Sequence, residues 1–376
     1  MKVWVIGRGY PTVNNQMLGS FELEQAKMLA RGGLEVVYPQ VDMRSIRRWR
    51  KFGLEWKTED KVVIPTLNVP IGRLLNKEQR NKLFPKLMIH LEKKIIKRYG
   101  LPDVIHVHYP SFFPYSIFDH LQQRGVKIIS TEHWTKVFDK SLDEKCLHHL
   151  IDFTRKGNAI CCVGTPLKNS IIELTQTNKN VHIIPNIVSE MFKPVNELHE
   201  GFRFVTAGRL VPVKQYDKIV NAFLNIFGDN HEVTLSMAGD GEEHAKIQQI
   251  IDERDSNKQV KMLGEISREQ IVKLIRTCDA LIVFSELETF CVPVIEAWAC
   301  GKPVITTTTT TVFAENPDPR LGIMADWKDQ KTLENALKHI YDNYSEYNPK
   351  WISKYAYEHF SEKVVLRKLL ELYAKS

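Results

Sequence analysis

Several absences narrow the reading before any motif is considered. Nowhere do apolar residues run to the ~18 that a membrane-spanning helix requires. Met1-Lys2 leads straight into the apolar Val3-Trp4-Val5-Ile6, so nothing at the start resembles a signal peptide. The six cysteines, Cys146, Cys161, Cys162, Cys278, Cys291 and Cys300, form no C-x-x-C pair. Set in largely hydrophobic surroundings, they read as reduced core residues of a cytoplasmic protein, not as zinc ligands or a disulfide framework. No Asp-x-Asp stands in a suitable loop, and His106 with His108 on one strand lacks a third ligand, so no metal is expected. Internal repeats are absent. Low-complexity sequence is confined to six threonines at 306–311.

What is present is an ordinary globular composition, 43% hydrophobic and 26% charged over 376 residues. That length suggests two domains of about 150 to 200 residues each. Strand and helix patterns alternate throughout, which predicts an α/β protein with parallel sheets. Strands are expected near 2–6, 34–38, 62–65, 104–108, 127–131, 159–163 and 182–185, then near 202–207, 232–238, 260–263, 280–284, 304–307 and 322–324. Amphipathic segments lie between them, as at Ser20–Arg31, where Phe21, Leu23, Ala26, Leu29 and Ala30 are read as one apolar face. Two doubly wound sheets in series bind ligands at their strand C-terminal ends, on either side of a cleft. The break is expected at 185–194, giving domains at 1–190 and 191–361, with a closing helix at 362–376 returning to the first.

The segment 285–305, Ser-Glu-Leu-Glu-Thr-Phe-Cys-Val-Pro-Val-Ile-Glu-Ala-Trp-Ala-Cys-Gly-Lys-Pro-Val-Ile, carries the most chemistry. It reads as a polar loop after a buried strand, a short helix, and a second strand from Pro303. Pro293 suits a first helical turn, Gly301 a left-handed stop, and Pro303 forbids continuation. A helix beginning directly after a strand aims free N–H groups and partial positive charge into the loop, which makes an anion site. Glu288 and Glu296 border it. Carboxylates there suit hydroxyl groups, and a phosphate flanked by sugars is a nucleotide sugar.

A bare glutamate pair at that spacing carries no information. Embedded in this strand, loop, helix and Gly-x-Pro context, Glu288 and Glu296 resemble the E-x7-E signature of family 4 retaining glycosyltransferases. The resemblance implies the GT-B fold, two Rossmann-like doubly wound domains facing a central cleft. It extends to Gly208-Arg209-Leu210 with Pro212 and Lys214, whose cations in the family hold the leaving nucleoside diphosphate. By the same resemblance Glu288 holds the sugar and Glu296 the ribose. Thr289, Phe290, Cys291 and Val292 supply amides near the phosphate, and Glu265 and Ile266 pass the nucleobase. In the first half, the Gly7-Arg8-Gly9 turn has Thr12 where a dinucleotide fingerprint needs a third glycine, and is rejected. Gly19 matches the family's glycine loop at the donor phosphate, although the usual glycine pair is reduced to Leu18-Gly19. Glu24 and Gln25 are read as solvent-facing. His133 matches the family's Thr-x-His position beside the transferring sugar or acceptor, and His106 reads as buried support. The implied chemistry is metal-independent transfer with retention. Arg209, Lys214 and helix dipoles stabilise the departing phosphate, which itself accepts the acceptor's proton.

Two departures stand out. Cys291 replaces the family's glycine after Glu-x-Phe, at a backbone position that could require positive φ. The threonines at 306–311 replace a glycine pair, and their hydroxyls are candidates to bond phosphate or sugar. Net charge is +7, with basic clusters at Arg44, Arg47, Arg48, Arg50 and Lys51, interleaved with Ile46, Trp49 and Phe52, and at Lys93, Lys94, Lys97 and Arg98. They suit either a solvated face or an anionic membrane surface, and no nucleic-acid module is recognisable. The expectation is a UDP-sugar or GDP-sugar donor and a saccharide or lipid-linked acceptor at the inner face of a bacterial membrane. Two other readings of the fold stay open: a nucleotide- or sugar-binding subunit without turnover, and a sugar-nucleotide epimerase.

Overall fold

A computed structural model describes all residues except 12–17, 46–50, 73, 196–198, 256 and 376. The chain forms two compact units, Met1–Ile184 with Leu366–Ser376, and Pro185–Val365. Each is α/β.

In the first unit the strands are β1 (Lys2–Ile6), β2 (Glu35–Val37), β3 (Gln40–Asp42), β4 (Gly53–Glu59), β5 (Val62–Asn68), β6 (Val104–His108), β7 (Lys127–Glu132), β8 (Ala159–Cys162) and β9 (Val181–Ile183). They form a sheet in the order β3-β5-β2-β1-β6-β7-β8-β9, parallel apart from β4, which pairs antiparallel with β5. Strands β1 and β6 are buried along nearly their whole length, as expected of a parallel sheet covered on both faces. Trp4, Ile6, Ile105, Val107, Leu91, Ile95 and Phe153 build the core on one face. The helix Lys77–Tyr99 covering it starts from Asn76, which with Gln79 makes a capping box. Helix Ser20–Arg31 turns differently from its sequence reading. Phe21 is 42% exposed while Glu22 is fully buried, because Arg8 from the loop after β1 supplies a cation to Glu22 at 3.1 Å.

In the second unit β10 (Phe202–Ala207), β11 (Val233–Ala238), β12 (Val260–Gly264), β13 (Ala280–Ile282), β14 (Val304–Thr307) and β15 (Gly322–Ala325) are all parallel, in the order β12-β11-β10-β13-β14-β15. The chain reverses direction of travel between β10 and β13, and the loops leaving such a switch point are where open α/β sheets bind ligands. In the first unit the same reversal lies between β1 and β6. Among the described residues no helix is long and apolar enough to cross a membrane.

Candidate functional site

The switch point of the second unit gathers most of the residues singled out in the sequence. Gly208 and the exposed Arg209 follow β10, and a tight turn at Pro212–Lys214 presents Lys214. Glu288 and Glu296 follow β13. The two loops are locked by backbone, since the Glu286 N–H donates to the Val213 carbonyl at 2.8 Å. Across that lock the Lys214 ammonium pairs with Glu288 Oε1, which also accepts from Ser285 Oγ at 2.8 Å. Burial alone would lower the Lys214 pKa, but the carboxylate of Glu288, with Cys291 nearby, holds it up at about 12. It is a fixed cation at any physiological pH.

Three residues of the threonine run build this loop, while Thr308 is exposed. Thr307 Oγ1 donates to the Ser285 carbonyl at 2.7 Å, Thr309 Oγ1 to the same oxygen at 3.2 Å, and Thr311 Oγ1 to the Glu288 carbonyl at 2.9 Å. Thr306, Thr307, Thr310 and Thr311 are buried. Hydroxyls from the end of β14 and the turn after it thus satisfy carbonyls of an irregular, partly buried loop.

The helix Val292–Ala299 begins at Cys291, whose backbone is left-handed at φ 82° and ψ 80°. The residue is buried, and burial with the nearby Glu288 raises its thiol well above the ordinary value. Phe290 is buried, while Thr289 and Val292 are half-buried at the helix mouth. Glu296 lies on the buried side of the helix, 2% exposed. Burial raises its carboxyl pKa, opposed by Arg268, whose Nη2 donates to Oε1 at 2.5 Å. Glu265 is exposed and Ile266 half-buried, in the loop after β12. Arg268 escaped the sequence reading. The only local hint was a cation at the first position of a helix begun by Ser267 and Gln270, where the dipole disfavours it. Neighbouring strand ends are packed backbone on backbone: a Cβ added to Gly239, which has φ 132°, would lie 1.9 Å from the Gly208 carbonyl oxygen.

In the first unit the switch point holds a stack of imidazoles. His106 and His108 rings are 4.9 Å apart, and His108 and His133 rings 5.3 Å. His108 Nδ1 and His133 Nε2 share a hydrogen bond at 3.1 Å, and His106 is held by Tyr373 and Thr131, each at 2.6 Å. Gln25, read as solvent-facing, instead reaches His106 Nδ1 at 3.4 Å. Burial lowers the His133 pKa to about 3, with Arg8 and His106 adding to it, so the imidazole is neutral. Beside it Tyr109 stacks under Arg8, whose Cζ is 3.6 Å from the ring centre. Glu132 is fully buried and accepts from Ser111 Oγ and from the N–H groups of His133 and Trp134 at 2.7 to 2.9 Å. It thereby fixes the start of the loop that carries His133. Gly19 caps helix Ser20–Arg31 at φ 74°, and a Cβ there would lie 2.0 Å from the Gly9 carbonyl oxygen. Glycine is thus required for packing one loop on the other.

Two open grooves, about 730 and 720 Å³, one in each unit, lie elsewhere. The first is lined by Gly201, Arg203, Thr234 and Lys261 at the N-terminal ends of β10 to β12, the second by Gly157, Asn158, Lys179 and Asn180 before β8 and β9. Neither contains the glutamates. Arg47, Arg48, Trp49 and Arg50 lie outside the described residues, Lys51 is exposed, and Arg44 is tied to Asp42 at 2.5 Å. Lys93, Lys94, Lys97 and Arg98 are exposed on the helix Lys77–Tyr99.

Comparison with known proteins bears on the same elements. Residues 188–359 match the family described as Glycosyl transferases group 1, and residues 23–190 match Glycosyltransferase Family 4. N-acetyl-alpha-D-glucosaminyl L-malate synthase of Bacillus anthracis is 26% identical over 220 residues, covering 54% of this chain and 56% of that protein. The phosphatidylinositol N-acetylglucosaminyltransferase GPI3 subunit of Saccharomyces cerevisiae is 26% identical over 217 residues, covering 54% and 48%. The chain thus spans about half the length of these curated relatives. Among solved structures, sucrose-phosphate synthase from Thermosynechococcus elongatus superposes with a TM-score of 0.77 at 18% identity, covering 100% of this chain and 98% of that one. Anabaena HepE in complex with UDP and glucose superposes with a TM-score of 0.73 at 14% identity, covering 100% of both chains.

Proposed function

The chain belongs to the group 1, family 4 glycosyltransferases of GT-B fold, and we propose that it transfers a sugar, with retention and without a metal, from a nucleoside diphosphate sugar to a saccharide or lipid-linked saccharide. The observation that carries this reading is the Lys214–Glu288 pair, held by the locked loops at the switch point of the second unit. In the proposed mechanism Lys214 and Arg209 stabilise charge that develops on the departing diphosphate. A cation already fixed and partly desolvated needs no reorganisation as the bond breaks. Glu288 orients the sugar, and Glu296 accepts ribose hydroxyls. The amides near Phe290, Cys291 and Val292 add donors for phosphate. His133, kept neutral, offers a hydrogen bond to the sugar or acceptor without competing for protons. Glu265 and Ile266 pass the nucleobase.

The names of the relatives point to the donors to try first. HepE was solved with UDP and glucose, and two curated relatives are named for N-acetylglucosaminyl chemistry. UDP-glucose and UDP-N-acetylglucosamine therefore precede GDP-sugars in a panel assayed for nucleoside diphosphate release. Release by the wild type, lowered at least ~100-fold in Lys214→Ala, is the expected result. Wild-type protein that binds a nucleotide yet turns over no donor with any saccharide acceptor would favour a binding subunit instead.

A further inference from the structure

Helix Arg268–Arg276 gives no reason for an arginine at its first position, where a carboxylate suits the dipole. The reason lies across the fold. Arg268 donates to Glu296 Oε1 at 2.5 Å, and its Cζ lies over the buried Phe192 ring, 4.7 Å from the centre, a cation–π contact. Glu296 is 2% exposed, and its Oε2 makes no hydrogen bond among the described residues. A buried carboxylate stays ionised only where a cation or several N–H groups hold it. Here one oxygen is anchored and the other is left without a partner.

We propose that Arg268 is the positioning residue for Glu296, keeping its carboxylate charged and fixed through one oxygen while the other accepts the hydroxyls of a nucleoside's ribose. This rests on the reading of Glu296 as the ribose ligand. The groups acting on Glu296 are Arg268, from the helix Arg268–Arg276, and the thiols of Cys291 and Cys300 at the two ends of its own helix. Burial raises both thiols, so they are neutral. Among the described residues, helices Thr311–Ala314 and Pro349–Phe360 and strands β13 and β14, which pack on it, bring no further charge to bear.

The test is calorimetric binding of UDP and GDP to the full chain from about pH 8.5 to about pH 5.5. Wild type, R268Q, R268K, E296Q and R268Q/E296Q are compared, each read as a ratio to wild type at the same pH, which cancels the titration of the phosphate. R268Q should bind about tenfold more weakly at the upper pH and lose up to about tenfold more per pH unit below, as the unpaired Glu296 protonates. R268K should largely flatten that profile, and R268Q should add nothing to E296Q. A ratio for R268Q that is constant with pH and multiplies that of E296Q means a merely structural arginine and overturns the proposal. So does a wild-type ratio throughout. Absence of binding by wild type removes the ribose reading and this inference with it. If R268Q does not fold, the double variant decides: without the charge the cation is not needed, so it should fold and bind as E296Q does. A double variant that fails to fold where E296Q folds overturns the proposal.

Discussion

Replacing Lys214 by methionine removes one side of the pair that bridges the two switch-point loops. The rise of the Lys214 pKa from its ordinary 10.5 to about 12 corresponds to about 2 kcal/mol at 1.36 kcal/mol per pKa unit. Because the Lys214 side chain is 27% exposed and that of Glu288 12%, solvent screening trims the estimate to about 1–2 kcal/mol. That exceeds most surface pairs and falls short of the 3–5 kcal/mol lost on truncating a fully buried pair. The group is a base with a raised pKa, so its contribution is complete below pH 10.5 and is lost as pH rises through about 12. Urea denaturation of wild type, Lys214→Met, Glu288→Gln and the double variant at neutral pH gives the coupling directly. A coupling of about 1–2 kcal/mol, more than half of it surviving in 1 M salt, where the screening length is about 3 Å, fits a preorganised pair. A coupling below about 0.3 kcal/mol would refute the reasoning, because the loops would then be holding two solvated charges.

Three further outcomes follow from local structure. Cys291→Gly should be more stable than Cys291→Ala by about 1 kcal/mol in thermal melts, since only the former relieves the left-handed backbone; equal stabilities would deny the strain. Thr311→Val should cost about 1–2 kcal/mol by leaving the Glu288 carbonyl without its hydroxyl donor, and a loss within experimental error would mean the loop is held otherwise. Glu92, 1% exposed with its carboxyl raised to about 8 by burial, binds a proton more tightly folded than unfolded. Wild-type stability should therefore fall as pH rises from about 4.5 through about 8, and Glu92→Gln should gain on wild type by a few kcal/mol across that window. A difference independent of pH between the two in denaturation series contradicts this.

Much of the fold is legible because buried parallel strands write themselves as short apolar runs. β1, β6, β10 and β14 fall where the sequence places them, and other predicted strands lie within one to three residues of their observed ends. β3 and β4 were missed. β4 alternates Leu54 and Trp56, which pack against the core, with Glu55, Lys57 and Glu59, so the period-two signal of a half-buried edge strand is present in the sequence but short. β5 continues through Pro65 to Asn68, past the point where proline suggests an end. In the site, the Lys214 and Glu288 positions follow from local strand-to-loop spacing. The Arg268–Glu296 pair does not, because it joins two helices through tertiary packing. The same holds for Glu22, whose burial depends on Arg8 from another loop. The threonine run shows the limit most plainly: the hydroxyls of Thr307, Thr309 and Thr311, which suit a ligand in sequence, are consumed by the carbonyls of Ser285 and Glu288.

The central claim is a nucleoside diphosphate site beside Glu288 and Glu296. Its most direct test is thermal stabilisation by UDP, GDP, ADP and CMP, each with EDTA present, for wild type and Glu296→Ala. A nucleotide at about 100 times its dissociation constant should add about 2.7 kcal/mol of stability. A clear shift with one nucleoside diphosphate, kept in EDTA and lost in the variant, is the expected result. No shift with any of the four, or an equal shift in Glu296→Ala, would contradict it.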